Sequence, residues 1–244
     1  MTYLRLILLA WLTVLGFGAS AAELPVDALL DKVIAAYGGG NGAPTSAKAI
    51  KQTGVTYSAM RGGEAPILRA YQRPDRLRIE IRYPGKAEVR VLRGTQAWKQ
   101  GSPMTSAFQG AMLLQATRMG MPWNLLAIRD RLRDMGSMAM PGGTLRVLEW
   151  TTDSGLVMRI GIAPDSGHIV HSLGRLSSTP GSMEFGTTYE DFRHQDGQLY
   201  AAFERHFAMG QSIGHTRIEH VEFLDSLPDS LFQPDQDQPP GLRL

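Results

Sequence analysis

The side chains that could do chemistry are few, and their spacing excludes more than it suggests. The six histidines include His168 and His171, three apart in a segment of strand character and hence on opposite faces. With His206, His215 and His220 they form no helix-borne His-x-x-x-His pair, so no metal centre is expected. Ser172, Ser177 and Ser182 lie near His168 and His171, but no Gly-x-Ser-x-Gly elbow presents a nucleophile. Asp153, Asp191 and Asp196 occupy turns or strand ends, where a carboxylate commonly bonds nearby backbone amides. Gly38-Gly39-Gly40 follows a helical pattern and so terminates a helix, where a phosphate cradle would have to precede one. A hydrolase is the weakest reading, and no catalytic residue or cofactor is expected.

Binding chemistry is better represented. Arg69, Arg73, Arg76, Arg78, Arg82, Lys86, Arg90 and Arg93 concentrate positive charge between residues 69 and 93. They could meet anionic headgroups or a protein partner, with Arg78, Arg82 and Arg90 as the sharpest candidates. Glu80 and Glu88 sit among them, so cross-strand ion pairs on a solvated face remain the plain alternative. A second group is apolar. Met104, Met112, Met119, Met121 and Met135, with Leu113, Leu114, Trp123, Leu125, Leu126 and Ile128, are soft side chains at helical spacing. They either fill a core or line a cavity for flexible chains.

The elements that must position these groups are mostly strands. Leu77, Ile79, Ile81 and Tyr83 alternate with Arg76, Arg78, Glu80 and Arg82, which gives one oily and one charged face. After a turn at Pro84-Gly85, Ala87, Val89 and Val91 alternate with Lys86, Glu88 and Arg90, and the valines are expected on the oily side. Further strands are expected over 50–60, 67–73, 144–151, 156–163, 168–176, 183–193, 198–209 and 213–223, with legible turns at Asp153-Ser154-Gly155, Pro164-Asp165-Ser166-Gly167 and Asp196-Gly197. Val26, Leu29, Leu30, Val33, Ile34 and Tyr37 predict an amphipathic helix ahead of them. The insert from Thr105 to Met135 reads as two helices broken near Gly120 and Pro122, a lid over the sheet. The tail from Ser226 to Leu244, rich in Pro, Asp and Gln, is expected on the surface.

Compartment follows from the first residues. Arg5, an apolar run from Leu6 to Phe17 and Ala19-Ser20-Ala21 have the form of a signal peptide cleaved near Ala21. With no cysteine, neither disulfides nor a lipidated cysteine anchor is available. Residues 22–244 are thus expected as one exported, unanchored and monomeric domain. Without Arg5 the formal charge falls from +2 to +1, which excludes nucleic acid as a partner of the whole molecule.

Several motifs then resemble a known family. They are Ala36-Tyr37-Gly38-Gly39, the stretch from Tyr71 to Glu80, Gly94-Thr95-Gln96-Ala97-Trp98, Tyr189-Glu190-Asp191-Phe192 and the closing Leu227 to Pro234. Together they resemble periplasmic proteins of the outer-membrane lipoprotein-sorting superfamily, relatives of the carrier LolA and the receptor LolB. The resemblance implies a mainly β protein with helices (α+β), an unclosed antiparallel half-barrel covered by a helical lid. It also implies a non-enzymatic binding or carrier role, with acyl chains of a lipid or lipoprotein sheltered in a hydrophobic cavity. The cavity would be lined by Leu68, Leu77, Ile79, Ile81, Val89, Val91 and Trp98 from the sheet and by Met112, Leu113, Met119, Trp123 and Leu126 from the lid. An inner- or outer-membrane protein would be the delivery partner. The alternative is a sensor or scaffold that binds a protein through its basic face or a sheet edge.

Overall fold

The structure, a computed structural model, describes residues 24–39, 47–140, 142–178 and 181–234. The expected signal segment and the end of the tail lie outside them. Helix α1 (Val26–Ala36) buries Leu29, Leu30, Val33 and Ile34, the stripe that the 3.6-residue period requires. It stops where Gly39 N–H bonds the Ile34 carbonyl at 2.9 Å and Gly38 N–H that of Ala35 at 3.3 Å, a Schellman closure. Gly38 has φ +85°, and a Cβ there would lie 2.6 Å from the Gly197 carbonyl oxygen. Only glycine fits both constraints.

Six strands follow, β1 (Ala49–Ser58), β2 (Gly63–Gln72), β3 (Arg76–Tyr83), β4 (Lys86–Arg93), β5 (Gln96–Lys99) and the short β6 (Ser102–Pro103). After the helices α2 (Ser106–Met119) and α3 (Trp123–Ala127) come β7 (Arg133–Met140), β8 (Gly143–Thr151), β9 (Val157–Ile162), β10 (Ile169–Ser178), β11 (Gly181–Gln195), β12 (Gln198–Ala208) and β13 (Gln211–Leu224). All thirteen form one sheet in the order β6-β5-β4-β3-β2-β1-β13-β12-β11-β10-β9-β8-β7. It is two antiparallel meanders stitched together by β1 and β13. Among the described residues the free edges are β6 and β7, so the barrel is unclosed, and the chain passes from one edge to the other through α2 and α3. The lid is thus the connector between the two edges. Its helical part ends with the 3-10 turn Arg129–Arg131. Met135, expected on the lid, instead sits 43% exposed on edge strand β7.

Apolar packing divides between two clusters on the concave side. One joins α1, Leu114 and Leu125 to Leu148, Trp150, Met158, Ile160 and Ile162. The other joins Ile67, Tyr71, Leu77, Ile79, Ile81 and Leu92 to Met112, Ala116, Met119 and Trp123. A Cβ on Gly174 would come within 2.4 Å of a Leu114 methyl, so the glycine lets α2 approach β10 closely.

The register corrects the expected faces of the first hairpin. Tyr83 pairs with Lys86, Ile81 with Glu88, Ile79 with Arg90 and Leu77 with Leu92. Directly paired residues point to the same side, so Glu88, Arg90 and Leu92 share the concave face with the isoleucines. Val89 and Val91 lie opposite Glu80 and Arg78 on the convex face. Trp98 pairs with Val91 and Leu68 with Glu80, so both are convex as well. The tail is the reason that face also looks apolar in sequence. Residues 226–234 do not simply lie on the surface: the 3-10 turn Asp229–Phe232 straps across β3 and β4, with Phe232 fully buried against Val89 and Val91.

Candidate functional site

The concave face carries a band of polar groups where the pleat would place apolar ones. On β2, Arg69 falls between the inward Ile67 and Tyr71, and on β12 Glu204 falls between Ala202 and His206. Two strands, β1 and β13, separate β2 from β12; at about 4.8 Å per strand a flat sheet would hold them roughly 14 Å apart. The curl of the sheet closes that gap. Arg69 Nη1 and Nη2 donate to the two Glu204 carboxylate oxygens at 2.8 and 2.9 Å, a bidentate pair with side chains 6% and 10% exposed.

Helix α2 supplies a second guanidinium. Arg118 Nε donates to Ser172 Oγ at 3.0 Å and Nη2 to the Phe185 carbonyl at 2.7 Å. Ser172 Oγ is 2.9 Å from Tyr189 Oη. No carboxylate among the described residues forms an ion pair with Arg118. Arg118 is half-buried, and it lines both cavities described below. His206 completes the cluster, with Nε2 2.9 Å from Thr216 Oγ1, Nδ1 3.4 Å from Thr187 Oγ1 and Nε2 3.8 Å from the Glu204 carboxylate.

Protonation follows from burial and neighbours. Burial pushes His206 down to about 4; Glu204 pulls the other way, while Arg69 and Arg118 reinforce burial. Burial raises Glu204, but Arg69, His206 and Arg118 outweigh it and hold the carboxyl below its usual range. Burial raises the Tyr189 phenol and lowers His171, the latter with help from Arg118. At neutral pH the cluster holds two guanidiniums, which stay protonated in proteins, one carboxylate and neutral imidazole and phenol groups, a net charge of +1.

Two cavities meet at this cluster, both lined by Arg69, Gln115 and Arg118. The inner one, about 80 Å³, reaches toward Tyr37, Met119, Trp123, Leu199 and Phe223. The other, about 270 Å³, is walled by Ile67, Ile79, Ile81 and Tyr83 on the sheet, Ala111 and Leu114 on α2, and Phe185, Phe207 and Ile213 opposite, with Arg90 at its side. A third groove, of about 950 Å³, runs along α2 past Leu113, Leu156, Leu176 and Met183.

The structure therefore divides the expected cavity residues. Ile79 and Ile81 line the larger chamber, Met119 and Trp123 the smaller, and Leu113 the groove. Leu77 and Met112 are packed in the core between sheet and α2, and Leu126 is half-buried on α3. Leu68, Val89, Val91 and Trp98 lie on the other face of the sheet. The basic trio also comes apart. Arg78 is fully buried under the tail, bonded to Glu80 at 2.5 Å and to the Leu231 carbonyl at 3.2 Å. Arg82 is half-buried on the convex side. Arg90 is concave, paired with Glu88, which Arg61 and Lys99 also approach at 3.4 Å. These three arginines therefore do not form one basic face for a headgroup or partner. Arg118 and Glu204 were not legible as site residues; for Glu204 the available signal was a charge at an inward position of an alternating strand, and for Arg118 on helix α2 there was none.

No family model and no curated protein sequence matches the chain. Solved structures do match. A LolA superfamily protein from Nitrosomonas europaea superposes with a TM-score of 0.55 at 11% identity, over 86% of this chain and 98% of that one. A DUF1329 family protein from Desulfovibrio piger gives 0.57 at 12%, over 85% and 97%. A putative outer membrane lipoprotein-sorting protein domain from Vibrio parahaemolyticus gives 0.52 at 10%, over 86% and 96%. The chain has the LolA-like fold, a mostly antiparallel, unclosed sheet of thirteen strands with few helices.

Proposed function

We propose that this chain is a non-enzymatic binding or carrier protein of the periplasm that shelters the acyl chain of a lipid or lipidated protein beneath α2. The observation that carries the reading is the chamber of about 270 Å³ between β2, β3 and α2, with an apolar wall at Ile67, Ile79, Ile81 and Leu114 and a volume close to the lower bound of roughly 300 Å³ for small-ligand pockets. The unpaired edges β6 and β7 support it too, because the half-barrel can widen around a guest without losing a ladder of hydrogen bonds. Each methylene taken from water contributes about 0.8 kcal/mol, so ten of them contribute about 8 kcal/mol. The fold shared with a lipoprotein-sorting domain agrees with this role. No helix among the described residues is long and apolar enough to cross a membrane.

The test is uptake of an uncharged apolar fluorophore, N-phenyl-1-naphthylamine, together with mass spectrometry of organic extracts from gently purified protein. Ala111→Trp, which fills the chamber from the α2 side, is expected to lose uptake while keeping its melting temperature. Absence of both probe uptake and co-purified lipid in the wild type would overturn the carrier reading. The sheet-edge form of the alternative keeps one physical basis, the largely exposed strand β7 with Met135 and Met138.

A further inference from the structure

We infer that Arg118, with Arg69 behind it, forms an internal site for the anionic head of a single-chain amphiphile, a carboxylate or phosphate monoester whose tail lies against Ile67, Ile79 and Ile81. The inference rests on the proposed function and deepens it by naming the class of guest and the direction in which it binds.

Charge carries the first part. An interior normally pairs its ions, because an uncompensated buried charge is costly. Here Glu204 spends both carboxylate oxygens on the fork of Arg69. Arg118 is left with neutral acceptors, Ser172 Oγ and the Phe185 carbonyl, and among the described residues its Nη1 has no hydrogen-bond acceptor. Buried Arg69 Nε also has no hydrogen-bond partner. Two guanidiniums against one carboxylate leave a net positive site with donors to spare, and a planar guanidinium matches carboxylate and phosphate oxygens.

Position carries the second part. Arg69 and Arg118 stand where the two cavities meet, and the larger one leads from them along an apolar wall. A ligand with one anionic end and one hydrocarbon tail satisfies both surfaces at once, whereas a neutral chain leaves the guanidinium as it was. The inner cavity of about 80 Å³ has room for the waters that a head of varying size would displace.

The experiment uses the full chain and displacement of N-phenyl-1-naphthylamine by dodecanoate, dodecyl phosphate, dodecanol, acetate and inorganic phosphate. The two anionic amphiphiles are expected to bind roughly ten- to a hundred-fold tighter than the alcohol, the range of charge-assisted hydrogen bonds. Arg118→Met is expected to erase that preference, so that the two anionic amphiphiles bind no tighter than dodecanol. Arg118→Lys, which keeps the charge and loses the fork, is expected to retain part of it, and it decides the matter if the methionine variant fails to fold. Equal affinity for alcohol and carboxylate in the wild type would overturn the head site and leave the carrier reading intact. Preference undiminished in both variants would overturn the assignment to Arg118. Inorganic phosphate competing as well as dodecyl phosphate would mean a free-anion site and overturn the amphiphile. Failure of every amphiphile to displace a bound probe would overturn the head site together with the chamber it opens on.

Discussion

Removing either partner of an ordinary buried ion pair costs about the same, roughly 3–5 kcal/mol, because each removal strands one charge. The Arg69–Glu204 pair is not isolated, and the presence of Arg118 makes the two losses unequal. Glu204→Gln raises the net charge of the cluster from +1 to +2 and leaves its two guanidiniums without a carboxylate in the cluster. Arg69→Met lowers it to zero, and the remaining carboxylate keeps the field of Arg118, an interaction that already helps hold Glu204 ionised. At an effective dielectric of about 20, an interior charge roughly 8 Å away contributes about 2 kcal/mol. Glu204→Gln is therefore expected to cost about 5 kcal/mol and Arg69→Met about 2–3 kcal/mol. For a domain of this size each kcal/mol moves the melting temperature by about 2–4 °C, which gives losses of roughly 10–20 °C and 4–12 °C. The double variant Arg69→Met/Glu204→Leu restores the wild-type net charge and is expected to fall within about 2 kcal/mol of it. Thermal melts and urea titrations at pH 7.5 read all three. Equal losses in the two single variants, or a greater loss in Arg69→Met, would refute the three-charge account of the cluster.

His206 carries a pH signature. Its folded pKa lies near 4, below the usual 6.5, so the unfolded chain binds the proton first as pH falls. Its contribution is complete above pH 6.5 and is lost between about 6.5 and 4, a total of about 3 kcal/mol. His168 and His171 are lowered as well, so His206→Asn should reduce the slope of stability against pH in that window without abolishing it; an unchanged slope in urea melts at pH 7.5, 6 and 5 counts against the burial of the imidazole. Phe232→Ala removes the fully buried anchor of the tail, and a loss of about 3–5 kcal/mol is expected. If that variant melts like the wild type, the tail does not hold the convex face.

What was legible in the sequence was what neighbouring residues determine among themselves. The stripe of α1, the alternation in β3, the turns at Pro164 to Gly167 and at Asp196-Gly197, and the helix break at Gly120 all concern contacts within a few residues, and local backbone preference and the pleat specify them. The faces of β4 were legible only in part. A two-residue turn at Pro84-Gly85 sets Tyr83 opposite Lys86 and so turns Arg90 inward, yet hydrophobicity alone argues for Val89 and Val91. They are apolar because Phe232, about 140 residues further along the chain, covers them from outside. The charged cluster was decided wholly by tertiary structure. Arg69 and Glu204 are 135 residues apart and Arg118 and Ser172 54 apart, and on isolated strands and helices each is an unremarkable polar residue. Only the curl of the sheet, set by the pairing of β1 with β13, brings them within hydrogen-bond distance under α2. There low polarizability makes pairing and net charge matter as they do not in water.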